Sequence, residues 1–243
     1  MTSLKFQKNN AKLDNTHTFS LPAGWSCPFA SDCLSKVVVN DGKRSIVDGK
    51  DCKFRCFAAS QEALYTNTYK ARKHNFDLLR KLKTVDAMAD LIDASLPKPK
   101  SKRGKALDCV RIHVSGDFFN QRYFDAWCEV ARRNPDVAFY AYTKSLRYWV
   151  ARLDSIPANL ALTASEGGTQ DELITEYNLK YAKVVFSEQE AAELGLPIDH
   201  DDSHAKYGEA SFALLIHGTQ PKGSEAAKAK AALKGKGSYP TRK

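Results

Sequence analysis

The sequence has no apolar run near the ~20 residues that a bilayer span requires, so no membrane-crossing helix is expected. Its first 20 residues are polar and charged and lack the apolar stretch of a secretory signal. That argues for a reducing compartment and against disulfides. A soluble, cytoplasmic chain is the expectation. Acids are nearly missing from the carboxyl-terminal segment. Lys222, Lys228, Lys230, Lys234, Lys236, Arg242 and Lys243 stand against Glu225 alone, which accounts for most of the formal net charge of +9. A second basic run, Lys98, Lys100, Lys102, Arg103 and Lys105, lies among prolines and a glycine and reads as an exposed linker. The linker run has no interleaved aromatic, and the tail has Tyr239 alone. Each reads equally as a polyanion-binding stretch, which makes nucleic acid a candidate partner, or as a solvated, solubilising segment.

What is present is a concentration of thiols. Four of the six cysteines fall between Cys27 and Cys56: Cys27 and Cys33 in one pair, Cys52 and Cys56 in another, with an 18-residue insert between. Two close pairs of thiolates brought together by a turn suit iron in a cluster, or Zn²⁺. Metal is therefore preferred here over inert or paired thiols. The insert holds Lys36–Val39 and Arg44–Val47 around Asn40-Asp-Gly-Lys43, a hairpin signal. Cys109 and Cys128, in a strand and on a helix face, read as small buried apolar residues.

Length and a hydrophobic content of 43% suit one domain. The expected layout is a polar arm over 1–17, an α/β domain over 18–220 and a basic tail over 221–243, with a hairpin insert at 36–50 and a basic linker at 97–106. Strands are expected at Thr18–Ala23, Cys109–Val114, Val137–Tyr142, Leu160–Ala164, Ala182–Phe186 and Phe212–Ile216. Between them come helices from Ser60 (as N-cap), over Val85–Leu96, Arg122–Asn134, Leu146–Leu153, Gln170–Tyr177 and Glu188–Leu194. Arg72, Lys73, Arg80, Lys81 and Lys83 read as the polar face of the first helical stretch. Short apolar strands without strict alternation suit a parallel sheet covered on both faces. Six βα units predict a partial (β/α)6 barrel of parallel strands, with an open doubly wound sheet as the alternative.

In either architecture ligands sit at the strands' carboxyl ends. There stand the cysteines, then Ser115-Gly116-Asp117, Thr143-Lys144, Ser165-Glu166 and His217-Gly218. Ser115, Gly116, Asp117, Thr143 and Ser165 are candidate cofactor-binding residues. Each also suits a turn or helix cap. Lys144 is a candidate catalytic cation, since helix starts favour acids. His200 and His204, in the cluster Asp199-His-Asp-Asp-Ser-His204, are candidate acid–base groups or ligands of a divalent ion, against a plain surface loop.

Six stretches carry a family resemblance: Ser26-Cys-Pro-Phe-Ala, Phe54-Arg-Cys-Phe-Ala-Ala, His113-Val-Ser-Gly-Asp-Phe-Phe, Phe139-Tyr-Ala-Tyr-Thr-Lys-Ser, Leu162-Thr-Ala-Ser and His217-Gly-Thr-Gln-Pro-Lys-Gly-Ser. They resemble the phage "gene product eighty-eight" family over about Phe19 to Gly237, which implies a phage or prophage protein in the host cytoplasm. More distantly, Cys56-Phe-Ala after a strand is similar to the Cys-Tyr-Ala closing the cluster motif of radical S-adenosylmethionine enzymes, and Ser115-Gly-Asp117 to their Gly-Gly-Glu. That resemblance implies a partial TIM barrel, a [4Fe–4S] cluster held by three thiolates, S-adenosylmethionine oriented by Asp117, and an external reductant. The chain departs from the usual C-x3-C-x2-C through the insert and the fourth cysteine. Two functions follow as expectations: a radical S-adenosylmethionine-like iron–sulfur enzyme modifying nucleic acid or a nucleotide, or a non-catalytic, metal-stapled (Zn or Fe–S) nucleic-acid-binding protein.

Overall fold

A computed structural model of the chain describes residues 3–7, 16–98 and 107–233. Six short parallel strands, β1 (Thr16–Thr18), β4 (Cys109–Ile112), β5 (Ala138–Thr143), β6 (Leu160–Ser165), β7 (Tyr181–Val185) and β8 (Phe212–Leu215), lie side by side in sequence order. β2 (Ser35–Asn40) and β3 (Lys43–Asp48) form a separate antiparallel hairpin. Strand order never reverses, so the doubly wound alternative, which needs a switch point, does not apply. The sheet curls instead into a half-barrel.

Alternation along the strands separates two environments. Val110, Ile112, Phe139, Ala141 and Leu162 enter the large core beneath the outer helices. Arg111, Tyr140 and Tyr142 carry the opposite parity on the same strands. α4 (Gln121–Arg133) anchors the outer layer, because Tyr123, Phe124, Trp127 and Val130 repeat at helical spacing and are all fully buried. The Asn120 side chain accepts from the Tyr123 amide at 2.9 Å and starts that helix. α3 (Val85–Ser95) packs alongside, capped by Thr84. The remaining crossovers are α5 (Leu146–Val150) with a 3-10 turn at Leu153–Ser155, α6 (Glu172–Glu176) and α7 (Glu188–Glu193).

The hairpin turn follows its sequence signal. Asp41 and Gly42 both take positive φ, 49° and 76°, as a two-residue turn of this kind demands. Other expectations are corrected. The first strand lies at Thr16–Thr18, although pairing continues past it: the Phe19 amide donates to Arg111 O and the Leu21 amide to Ser115 O. Ser60 caps nothing. α1 (Phe57–Leu64) begins directly behind Cys56, and the chain restarts at Tyr65 as α2 (Thr66–Leu79). Arg72, expected on a solvated face, is buried. Within the expected arm Leu4 is buried and Gln7 bridges to Thr18. Part of the expected tail is α9 (Glu225–Leu233), whose Ala226 and Leu233 pack with β8. Lys100–Lys105 and Lys234–Lys243 lie outside the described residues.

Candidate functional site

The cysteine loop, 24–56, is held against the carboxyl ends of the strands at several points. The Ser31 and Asp32 amides donate to Gly167 O, and the Thr169 amide to Phe29 O, joining the loop to the end of β6. Asp32 O in turn accepts from the amides of Lys53 and Phe54, which brings the two cysteine pairs together. The Gln220 side chain clips the segment before Cys56 to the end of β8: Oε1 accepts from the Arg55 amide at 2.8 Å, and Nε2 donates to Arg55 O and His217 O. Ser35 Oγ accepts from the Cys56 amide at 3.2 Å. Gly218, with φ at 77°, lets that end pass close to α1, since a Cβ there would lie 2.5 Å from Phe57 Cβ.

Loop and half-barrel enclose a cavity of about 830 Å³. Cys27, Cys33 and Cys56 line it. Cys52 does not: its Sγ donates to Phe54 O at 3.0 Å and contacts Ser35 Oγ at 3.7 Å. Burial pushes the Cys56 thiol up to about 12, with Cys33 adding to the rise. Burial also raises Cys27, assisted by the Asp117 carboxylate and the neighbouring thiols. Cys33 is raised by burial too, against the nearby Lys144 charge. These thiols are therefore protonated at neutral pH unless further positive charge arrives beside them. Among the described residues, no three Cys, His, Asp or Glu side chains are grouped to hold a metal ion.

The residues expected to bind a cofactor all reach this cavity: Ser115, Gly116, Asp117, Thr143 and Ser165, together with Lys144. They are also bonded to one another. Asp117 accepts from the Phe118 amide at 2.7 Å, Thr143 Oγ1 at 2.6 Å and the Lys144 amide at 2.8 Å, tying β4 to β5. Burial raises its carboxyl to about 6 in spite of these bonds. Lys144 Nζ donates to Ser165 O, Ser165 Oγ and Glu166 O, tying β5 to β6. Gly116 leaves no room for a side chain. With φ at 85°, a Cβ there would meet Ser26 Oγ at 2.5 Å and Leu21 Cβ at 2.6 Å, so the glycine serves close packing against the cysteine loop.

Asp199, His200, Asp201 and Asp202 of the Asp199–His204 cluster line the same cavity. The cluster belongs to the connection from α7 to β8 and forms the opposite wall, ending in α8 (Ser203–Tyr207), which packs on the concave face beside Tyr140 and Phe212. Asp202, at φ 66°, accepts from Arg111 Nη1 at 2.6 Å, Tyr140 OH at 2.9 Å and Tyr142 OH at 3.2 Å. Asp199 accepts from the amides of Asp201 and His204. His200 lines the cavity, whereas the His204 ring packs edge-on against Phe212. The two histidines do not share a helical face, since His200 precedes α8.

Sequence reasoning passed over four residues. Glu62, fully buried, accepts from the Ala23 amide, Arg72 Nη1 and Ser115 Oγ on one oxygen, and burial still raises its carboxyl. Gln220 carried no signal beyond its turn-like setting. Arg111 carried one: a cation inside the run Cys-Val-Arg-Ile must have a buried partner. His113 is buried at φ 65°, with Nε2 2.9 Å from Tyr123 OH, and burial lowers its imidazole to about 3.

Among the described residues no helix is long and apolar enough to cross a membrane. No solved structure matches the chain. It is similar to the Gene 88 protein of Mycobacterium phage L5, 33% identical over 139 residues covering 56% of this chain and 50% of that protein. The Gene 88 protein of Mycobacterium phage D29 is 32% identical over 139 residues, with the same coverage. The chain thus spans about half the length of the curated relatives it matches. The model of the Gene product 88 family matches residues 2–235, the six motif stretches among them, and the chain belongs to that family.

Proposed function

We propose that this family member is a radical S-adenosylmethionine-like iron–sulfur enzyme acting on nucleic acid or a nucleotide in the host cytoplasm. The observation that carries the reading is that three loop thiols, Cys27, Cys33 and Cys56, line one cavity at the strands' carboxyl ends, with Cys52 turned to a backbone carbonyl. A closed tetrahedral zinc site calls on four ligands around one ion at about 2.3 Å from each sulfur. Three separated thiols at a cavity suit the donor set of a cluster with one iron left open. When bound, such a cluster together with S-adenosylmethionine supplies one-electron chemistry, given an external reductant.

The chain's own residues have distinct parts in this reading. Cys27, Cys33 and Cys56 would hold the cluster, whose positive charge would favour the thiolates that burial otherwise disfavours. Lys144 acts as a positioning cation rather than a proton donor, because three bonds occupy its three hydrogens. Asp117 retains capacity for about one more hydrogen bond out of roughly four on a carboxylate, and it is the acid beside Cys27 suited to an ammonium. Thr143 and Ser165 offer hydroxyls at the same wall, and His200 is the acid–base group of the far wall.

Anaerobic reconstitution tests the proposal. A brown protein with about four iron and four sulfide per chain, losing them in Cys27→Ser, Cys33→Ser and Cys56→Ser but not in Cys52→Ser, is the expected result. Colourless protein with one zinc that needs all four cysteines would establish the metal-stapled, non-catalytic alternative instead.

A further inference from the structure

We infer that the corner between α1 and α2 is a docking platform for single-stranded nucleic acid, presenting one base to the cavity while the phosphates stay at its rim. Leu64 is 69% and Tyr65 56% exposed, adjacent in sequence, and both line the cavity. A large apolar pair left open beside a cavity calls for a partner. Two residues are too few for a standard protein interface, which takes 20–30 residues a side.

The surroundings specify which partner. Arg44, from the hairpin, donates to Thr66 Oγ1 at 2.8 Å and Ala63 O at 3.2 Å, and its guanidinium lies 5.7 Å from the Tyr69 ring centroid. An arginine is thus fixed at this corner, against Tyr69. Exposed Lys230 of α9 lines the same cavity, and further cations follow it in sequence. Aromatic faces interleaved with cations are what a single strand uses, bases stacking and backbone neutralised. The inner walls argue against a free nucleotide entering phosphate first. Asp117, Asp199, Asp201 and Asp202 all line the cavity, while Arg111 is paired with Asp202 and Lys144 is committed to carbonyls. Phosphate is favoured at the rim and a neutral base inside.

This inference rests on the cavity being a substrate site and not on the cluster, so the two fail separately. Fluorescence anisotropy of the full chain with labelled dT12 and rU12, at two salt concentrations, reads it without reductant. Tyr65→Ala is expected to weaken binding roughly tenfold and Tyr65→Phe to leave it unchanged, as for loss of one stacked base. Lys230→Ala should lower the salt slope by about 0.7. Preference between the two strands identifies the nucleic acid. Absence of binding by the parent chain, or equal affinity of the parent and a Tyr65→Ala variant with an unchanged circular dichroism spectrum, overturns the platform.

Discussion

Two buried polar clusters face one cavity from opposite walls. On the far wall Arg111, Asp202, Tyr140 and Tyr142 bond to each other, with the guanidinium also lying 5.0 Å from the Tyr142 ring centroid. The buried carboxylate there is met by a cation and two hydroxyls. On the near wall three thiols sit in surroundings that raise every one of them. The first arrangement is what a fold requires of a polar group it buries. The second gains little from being left as thiols, and it is maintained by clips from three parts of the chain. Self-sufficiency marks the cluster that the fold itself needs, and unmet chemistry marks the one on which the proposed function draws.

The sharpest way to break this comparison is at the far wall. Asp202→Ala would leave Arg111 buried with its ion pair gone, and a loss of about 3–5 kcal/mol in chemical denaturation is expected. A loss below 1 kcal/mol would mean that the far wall is solvated and that its charges are free for a ligand.

The next effect is a pH dependence at His113. The unfolded imidazole titrates near 6.5 and the folded one near 3. In that interval the unfolded chain takes up a proton that the folded chain does not, so stability falls as pH drops from 6.5 toward 3. The contribution is about 2–3 kcal/mol between pH 6.5 and 4.5. His113→Asn, which tolerates the left-handed backbone, should flatten that part of the stability curve. Parallel curves for parent and variant would contradict the burial assigned to the ring.

Removing the clip comes third. Gln220→Ala leaves the Arg55 amide and carbonyl without their partner, at an expected cost of roughly 1–2 kcal/mol. Iron retention during gel filtration should fall more visibly than thermal stability. The smallest effect is expected from Cys52→Ser, with stability changed by less than about 0.5 kcal/mol and iron content unchanged. A full loss of iron there would place all four thiols in one closed site.

Much of the architecture was legible. Apolar runs marked the parallel strands, Asp41-Gly42 marked the hairpin turn, and polar residues after each run marked the cavity that collects Ser115, Asp117, Lys144 and Ser165. Illegible were the pairings that depend on distant partners. Arg72 resembles a surface cation until Glu62 is folded against it. The acids around His200 and His204 resemble a metal loop until Asp202 meets Arg111, 91 residues away. Local pattern reports which positions are polar, and tertiary contact decides which of them bury that polarity. The division among the cysteines was likewise hidden, because spacing treats Cys52 and Cys56 as equals.

The Gln220 clip joins residues 165 positions apart, which sets an order of events during synthesis. Long-range contacts close late, and the wall carrying Cys56 stays open at one edge until the strand ending at Leu215 has left the ribosome and turned back. Under the proposed function, cofactor loading would therefore follow translation of nearly all the described chain, and any host machinery delivering iron and sulfide would meet an almost completed fold.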